Sequence, residues 1–355
     1  MKTISAEIVA DSVNHQGDRI TTYLLTFPRF ILAELNTHRV FSRNSASSRA
    51  IPFEKMVKMV EKDPFIPYAW QKSHSGMQGS EYITDSVEIN NCEMLWRIAI
   101  NHAIEDAFRL NSVSNVTKQL CNRPLEPFMW TTVLLTGTEF ENFFKLRCPQ
   151  YLAPENSLET IGRVFRSKRD MIQFYIDNDF KLGAGALKMW TILDWLKVNQ
   201  SQAEIHIQAL AEAMYDAMNE SKPKELKAGE WHIPFGDNMN KPFFKREEFE
   251  TIIVDWVPVP KFDAGAEKWI DQQKIKVATA RCARLSYNNF DGEIDYEKDI
   301  KLHDTLVESH HMSPFEHCAR VPSQDEYDTS LKGKEKGWFR NYKGFKSYRQ
   351  ILEEC

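Results

Sequence analysis

The tightest constraint on the fold of this chain is a short run in which strand, helix and loop patterns follow one another directly. TTYLLTF (Thr21 to Phe27), rich in threonine and large apolar residues, reads as a strand. Pro28 then opens RFILAELNTHR, where Phe30, Ile31, Leu32 and Leu35 suit one helical face and proline sits in the first turn, where it costs no hydrogen bond. The helix delivers the chain into THRVFSRNSASSR, Thr37 to Arg49, in which His38 and Arg39 precede four serines and two further arginines. Guanidinium forks pair bidentately with phosphate and short hydroxyls fill its remaining acceptor positions. The loop therefore reads as a site for a phosphorylated ligand, and its composition alone fits a solvated Ser/Arg loop equally well.

Spacing separates the two readings. His38, Arg39, Ser42, Asn44, Ser47 and Arg49 fall at the offsets of a pattern written RHRxxSxNExSxRY, and the segment resembles the signature of the flavin-dependent thymidylate synthases, the ThyX type. Two further segments resemble the same family. HHMSPFEH (His310 to His317) looks like its GHxTPFEH element and is preceded by ARLS (Ala283 to Ser286), which looks like its ARVS. RPLEPFMWTTVLLTGTEFENFFKLR (Arg123 to Arg147) resembles the segment that ends in NFLxLR, with Asn142, Leu146 and Arg147 on matching positions. The order differs from the usual one, because ARLS and SPFEH come last here instead of first. A circularly permuted relative accounts for this, since chain ends usually lie close together at the surface.

The resemblance implies an α+β fold, a mixed or antiparallel sheet with packed helices. It also implies reductive methylation of dUMP to dTMP with FAD as cofactor and NADPH and methylenetetrahydrofolate as co-substrates, in a homotetramer. Carried over residue by residue, Ser47, Arg49 and Arg147 hold the nucleotide, with Arg147 at the pyrimidine. His38, Arg39, Asn142, Ser286, His311, Ser313 and Glu316 hold the flavin. From the residues alone, Arg147 also fits an ordinary salt-bridged helix end.

Four positions depart from the pattern: Thr37 replaces its first arginine, Ser45 its acidic residue, Ala50 its tyrosine and Glu34 a glutamine. Glu34 and Ser45 are accordingly read as exchanging an acidic group between helix and loop, which makes both candidate nucleotide residues and, with Arg147 and Ser47, makes Glu34 a candidate catalytic one. The departures leave open a related dUMP or dCMP hydroxymethylase or methylase, or a nucleotide-binding flavoprotein without turnover. His303, His310, His311 and His317 raise a metal reading, which the absence of cysteine or carboxylate ligand spacing weighs against.

With 355 residues the chain is long enough for a substantial core. The sequence divides into 1–147, a nucleotide- and flavin-binding part, 148–200, a helical insertion, and 201–355, the remainder of the catalytic unit with the displaced SPFEH element. Helices are expected at Pro52 to Asp63, Glu88 to Leu110, Leu158 to Tyr175, Leu187 to Val198 and Ser201 to Asn219, the last opened by a Ser201/Glu204 capping box. A net charge of -5 argues against nucleic-acid polymers as partners. No run approaches the roughly 20 apolar residues of a membrane span, and the N-terminus lacks an apolar signal core, so a cytoplasmic protein is expected. Six dispersed cysteines read as reduced thiols. GWFRNYKGFKSYRQ (Gly337 to Gln350) reads as a partly buried helix lining the site or an interface, and WHIPFGD (Trp231 to Asp237) carries no derivable role.

Overall fold

The structure, a computed structural model, describes residues 2–75, 79, 81–113, 116–154, 160–239, 251–254, 257–260, 264–285, 295–333 and 335–354. Strands β1 (Ser5–Asn14) and β2 (Arg19–Pro28) form a hairpin whose turn is organised by the Asn14 side chain, which accepts from the amides of Gln16 and Asp18. β3 (Ser42–Ser45) and β4 (Trp130–Gly137) extend the sheet on the β2 side, and β5 (Lys224–Leu226) adds a parallel strand beside β1. The order is β3-β4-β2-β1-β5, a mixed sheet.

Helices cover both of its faces, which is why β4 is buried along nearly its whole length instead of at alternate residues. On one face Tyr23, Leu25, Phe27, Val133 and Leu135 pack against Phe140, Phe143 and Phe144 and against Ile207, Leu210 and Met214 of the helix Ile205–Glu220. On the other, Leu134 meets Val277, Ala278 and Cys282 of the helix Ala264–Arg284. Residues 151–198 form a separate small core of Tyr151, Met171, Tyr175, Leu187 and Trp195.

Several sequence expectations shift in detail. The run after Pro28 is a 3-10 turn, Arg29–Ile31, followed by a short helix, Leu32–Asn36, closed where the Thr37 hydroxyl donates to the Glu34 carbonyl. The helices expected from Pro52 and Glu88 run Phe53–Lys62 and Ser86–Ser112. The expected capping box is absent: Glu204 is itself the cap, its carboxylate accepting from the amides of His206 and Ile207, while Ser201 belongs to a turn held by Asn199. In the insertion the helices are Lys168–Asp177, Lys181–Lys188 and Ile192–Val198, because Ser167 caps the first and Val164–Phe165 pairs as a strand. Leu158 lies outside the described residues.

The C-terminal aromatic and basic segment is a hairpin, Trp338–Phe339 with Tyr342–Lys343, and only its last part, Tyr348–Glu354, is helical. Backbone geometry explains the difference from the helix expected there: Gly337, Arg340 and Gly344 all adopt positive φ, which no right-handed helix accommodates. Gly344 also accepts a hydrogen bond from Asn14 through its carbonyl at 3.1 Å, and a Cβ there would collide with Asn14 and Asp18. Gly344→Ala is expected to cost about 2–4 kcal/mol, from left-handed strain and a displaced buried hydrogen bond. Urea denaturation of the variant beside the parent checks this.

Candidate active site

Edge strand β3 places the signature. Because strand side chains alternate, Ser42 and Asn44 point into the protein while Arg43 and Ser45 are half-buried. Asn44 Nδ2 donates to the Cys282 carbonyl at 3.3 Å, and its Oδ1 accepts from the Ser313 hydroxyl. The first and last motifs of the chain therefore meet within one chain. After β3 the loop is tied down by Asn122, which donates to the carbonyls of Ser48 (2.7 Å) and Ile51 (3.0 Å), and by Arg29, which donates to the Ala46 carbonyl at 2.9 Å. Opposite, the helix Tyr296–Glu308 ends at His310, whose φ of 53° turns the chain back before the 3-10 turn Ser313–Glu316.

Between them lies a cavity of about 830 Å³, lined by Ser45, Ser47, Ser48 and Arg49 from the loop and by His311 and Ser313 from the C-terminal motif. Three further arginines line it: Arg29, Arg43 and Arg123. Arg43 lies inside the signature and counted in its cationic composition; Arg123 opens the Arg123 to Arg147 segment without being one of its matched positions, and Arg29 lies in no motif. Their only advance signal is position, one beside the strand-ending Pro28 and the other opening RPLEPF. Glu126 faces this set, 2.9 Å from Arg123 and 3.6 Å from Arg29. Glu316 does not enter the cavity; it pairs with Arg349 at 2.6 Å, so the C-terminal segment backs the SPFE turn instead of lining the site.

The other candidates lie elsewhere. His38 is 9% exposed, edge-on to Phe143 and stacked on Phe41, and Arg147 Nε donates to its Nε2 at 3.4 Å. Burial, then the charges of Arg147 and Arg43, hold the His38 imidazole below its usual value, which keeps it neutral and able to accept. Among the described residues no carboxylate lies within 4.0 Å of Arg147, and its side-chain partner is His38. Arg39 and Asn142 are exposed, and Glu34 has one buried carboxylate oxygen without a hydrogen-bond partner. None of these five lines the cavity, so Glu34 and Ser45 do not share it. Ser286 lies outside the described residues.

No group of three or more His, Cys, Asp or Glu among the described residues is arranged to hold a metal ion. The histidines considered for one are dispersed: His303 stacks on Tyr348, while His317 is fully buried and bonds Thr136 at 2.8 Å. That bond ends a buried chain, Ser12 to His232 (2.9 Å), His232 to Thr22 (2.8 Å) and Thr22 to Thr136 (2.7 Å). WHIPFGD thus supplies, through His232, the interior polar contact that locks the SPFEH motif to the sheet. Burial raises the thiols of Cys148, Cys282 and Cys318, the last to about 12, so none of these is a thiolate nucleophile at neutral pH.

No helix among the described residues is long and apolar enough to cross a membrane. No protein-family model matches the chain, and no curated protein sequence does. Among solved structures, it is similar to a UMP/dUMP methylase PolB from Streptomyces cacaoi. With the form bound to 5-Br dUMP, the TM-score is 0.36 at 14% identity, over 57% of this chain and 66% of that one, just under two thirds of its length. With the form bound to 5-Br UMP, the TM-score is 0.38 at 15% identity, over 62% of this chain and 90% of that one. The chain itself is an α+β protein whose mixed sheet, covered by helices on both faces, carries an arginine- and serine-lined cavity at its β3 edge.

Proposed function

We propose that this chain is a flavin-dependent nucleotide-methylating enzyme that converts dUMP to dTMP. One observation carries the reading: Ser47 and Arg49 share a cavity with His311 and Ser313, although more than 260 residues separate the two motifs. The matched spacing within each motif supports it. The lining donors, guanidinium and hydroxyl groups, fit the phosphate of a nucleotide or dinucleotide.

In this reading Ser47 and Arg49 hold the dUMP phosphate. Asn44 fixes Ser313 and the C-terminal motif beside it. Arg147 faces the pyrimidine carbonyls, where a fixed cation stabilises the enolate-like charge that builds during methylation. Neutral His38 sets the Arg147 side chain by accepting from it. When bound, reduced FAD supplies the hydride, methylenetetrahydrofolate the carbon and NADPH the recharging electrons. Because Arg147, His38, Arg39 and Asn142 lie outside the cavity, the reading includes a homotetramer in which they complete the site of a neighbouring subunit.

A second reading has its own observation: Ser45 lines the cavity where the family pattern has an acidic residue. A pocket so changed suits dCMP, or a hydroxymethylated product. Mass analysis after incubation with dUMP or dCMP, FAD, NADPH and methylenetetrahydrofolate separates the two. The expected product is dUMP plus one CH2; a gain of CH2O, or reaction of dCMP alone, replaces the first reading with the second. Protein that stays colourless and gains no thermal stability from FAD overturns both.

A further inference from the structure

We propose that the cavity between the insertion and the helix Ile205–Glu220 binds a small organic cation, a flat aromatic amine or amidinium whose charged head pairs with Asp216. This site shares no lining residue with the β3-edge cavity and does not depend on the nucleotide reading.

The helical repeat puts Ile205, Ala209, Glu212, Ala213 and Asp216 on one face of that helix. The insertion is pinned to this face at Glu212: the Tyr151 hydroxyl donates to one carboxylate oxygen at 3.2 Å and the Lys168 amide to the other at 2.7 Å. Beside the pin, Ala209 and Ala213 have no side chain beyond Cβ to fill the space. A cavity of about 450 Å³ remains, within the size range of small-molecule sites.

Its walls divide by chemistry. Ile192, Trp195, Leu196 and Ile205 make an apolar side. The Trp195 indole is held edge-on to Tyr151 and to Trp190, with centroids 5.0 Å apart in each pair, so it presents a fixed flat surface. Lys168 Nζ lies 5.8 Å from the Tyr151 centroid and 6.0 Å from that of Trp195, an ammonium already placed against the same rings.

Charge decides which ligand the cavity takes. Three carboxylates, Glu212, Asp216 and Glu220, meet two cations, Lys168 and Arg169, and the surplus negative charge falls on Asp216. Lys168 stands 3.5 Å from Glu212, while Arg169 pairs with Glu220 and donates to the Asp216 carbonyl at 3.2 Å. Asp216 Oδ1 is buried and has no hydrogen-bond partner among the described residues; Arg169 Nη2 is 3.7 Å from it. Burial accordingly raises the Asp216 carboxyl to about 6, which Ser167 and Arg169 only partly offset. A shielded carboxylate oxygen without a donor is costly, and a cation bearing N–H groups supplies one. The flat apolar wall selects a ring over a bare ammonium ion.

The test uses the full chain at neutral pH, with benzamidine as the probe and benzamide, its neutral isostere, as the control, by calorimetry and thermal shift. Benzamidine is expected to bind at least about tenfold more tightly than benzamide, as for a charge-assisted contact. Asp216→Asn should remove that preference. Ala213→Leu, which fills the cavity and keeps both carboxylates, should weaken benzamidine by about tenfold or more. An excess of dUMP should not displace the probe. Equal parental affinities for benzamidine and benzamide, no benzamidine binding at millimolar concentration, or a preference that persists in Asp216→Asn each overturn the proposal. Unchanged affinity in Ala213→Leu, or displacement by dUMP, puts the probe elsewhere and overturns it as well. Should one variant fail to fold, the other and the benzamide comparison decide.

Discussion

Acidification from pH 6.5 towards 3 is expected to remove most of the folding stability of this protein. His232 and His317 are fully buried, and burial pushes both imidazoles down to about 3. Unfolded, each titrates near 6.5. Between those values the unfolded chain binds more protons than the folded one, so stability is complete above about pH 6.5 and falls as pH drops through the window. At 1.36 kcal/mol per pH unit, each histidine forfeits on the order of 3 kcal/mol by pH 4. The loss is sharpened by the repulsion between the two, which lowers His317 further.

Other groups act on the same window. His38 and His303 are also lowered, mainly by burial, and add to the acid sensitivity. Asp216 opposes it: burial raises its carboxyl to about 6, so its protonation favours the fold as the pH falls. The two core histidines outweigh it because each is displaced further and both are sealed from solvent, and nearby Asp11 offsets only part of the burial of His232. Against a total of roughly 5–15 kcal/mol for a typical fold, their combined loss is decisive. Urea titrations at pH 7, 6, 5 and 4, followed by tryptophan fluorescence, measure it. A stability that stays level from pH 7 to 4 refutes the assignment, and His232→Gln should remove about half of the slope.

Arg49→Ala is expected to lower kcat/KM for dUMP by about ten- to a hundredfold and Arg147→Ala by about a hundredfold or more, yet the two should complement one another when mixed. The first removes a guanidinium from the cavity; a charge-assisted bond to phosphate is worth about 1.5–3 kcal/mol, and its loss raises KM. The second removes the cation that the proposed function sets at the pyrimidine, and its loss is expected to fall on kcat. Within one chain Arg147 pairs with His38 and not with the cavity residues. In the proposed tetramer a site can therefore take Arg49 from one subunit and Arg147 from another. Co-refolded variants should then regain a fraction of parental turnover from sites with both residues intact. Two folded, nucleotide-binding variants that stay inactive together refute the shared site.

Local chemistry in this chain was legible where one stretch of sequence carries it. The β2 strand, the Phe53–Lys62 and Ser86–Ser112 helices, and the anion-binding character of Thr37 to Arg49 follow from periodicity and residue type. Legibility ended where backbone geometry or distant partners decide. Positive φ at Gly337, Arg340 and Gly344 makes a hairpin of a segment whose composition suits a helix. The helix expected to begin near Ser201 begins at Ile205, because Asn199 draws Ser201 into a turn.

The candidate site divides in the same way. Sequence by itself determined which residues are able to bind an anion, since charge and donor geometry belong to the side chain: Ser47 and Arg49 stand out by residue type, and the resemblance of their motif adds His311 and Ser313. Only the tertiary structure decided which of them share a cavity. It brought Ser313 to Asn44, added Arg29 and Arg123 with Glu126 between them, and left His38 and Arg147 outside the cavity lining. Those pairings depend on the register of β3 on β4 and on a buried Thr–His chain, and contacts across such separations are fixed by packing and leave no local pattern in the sequence.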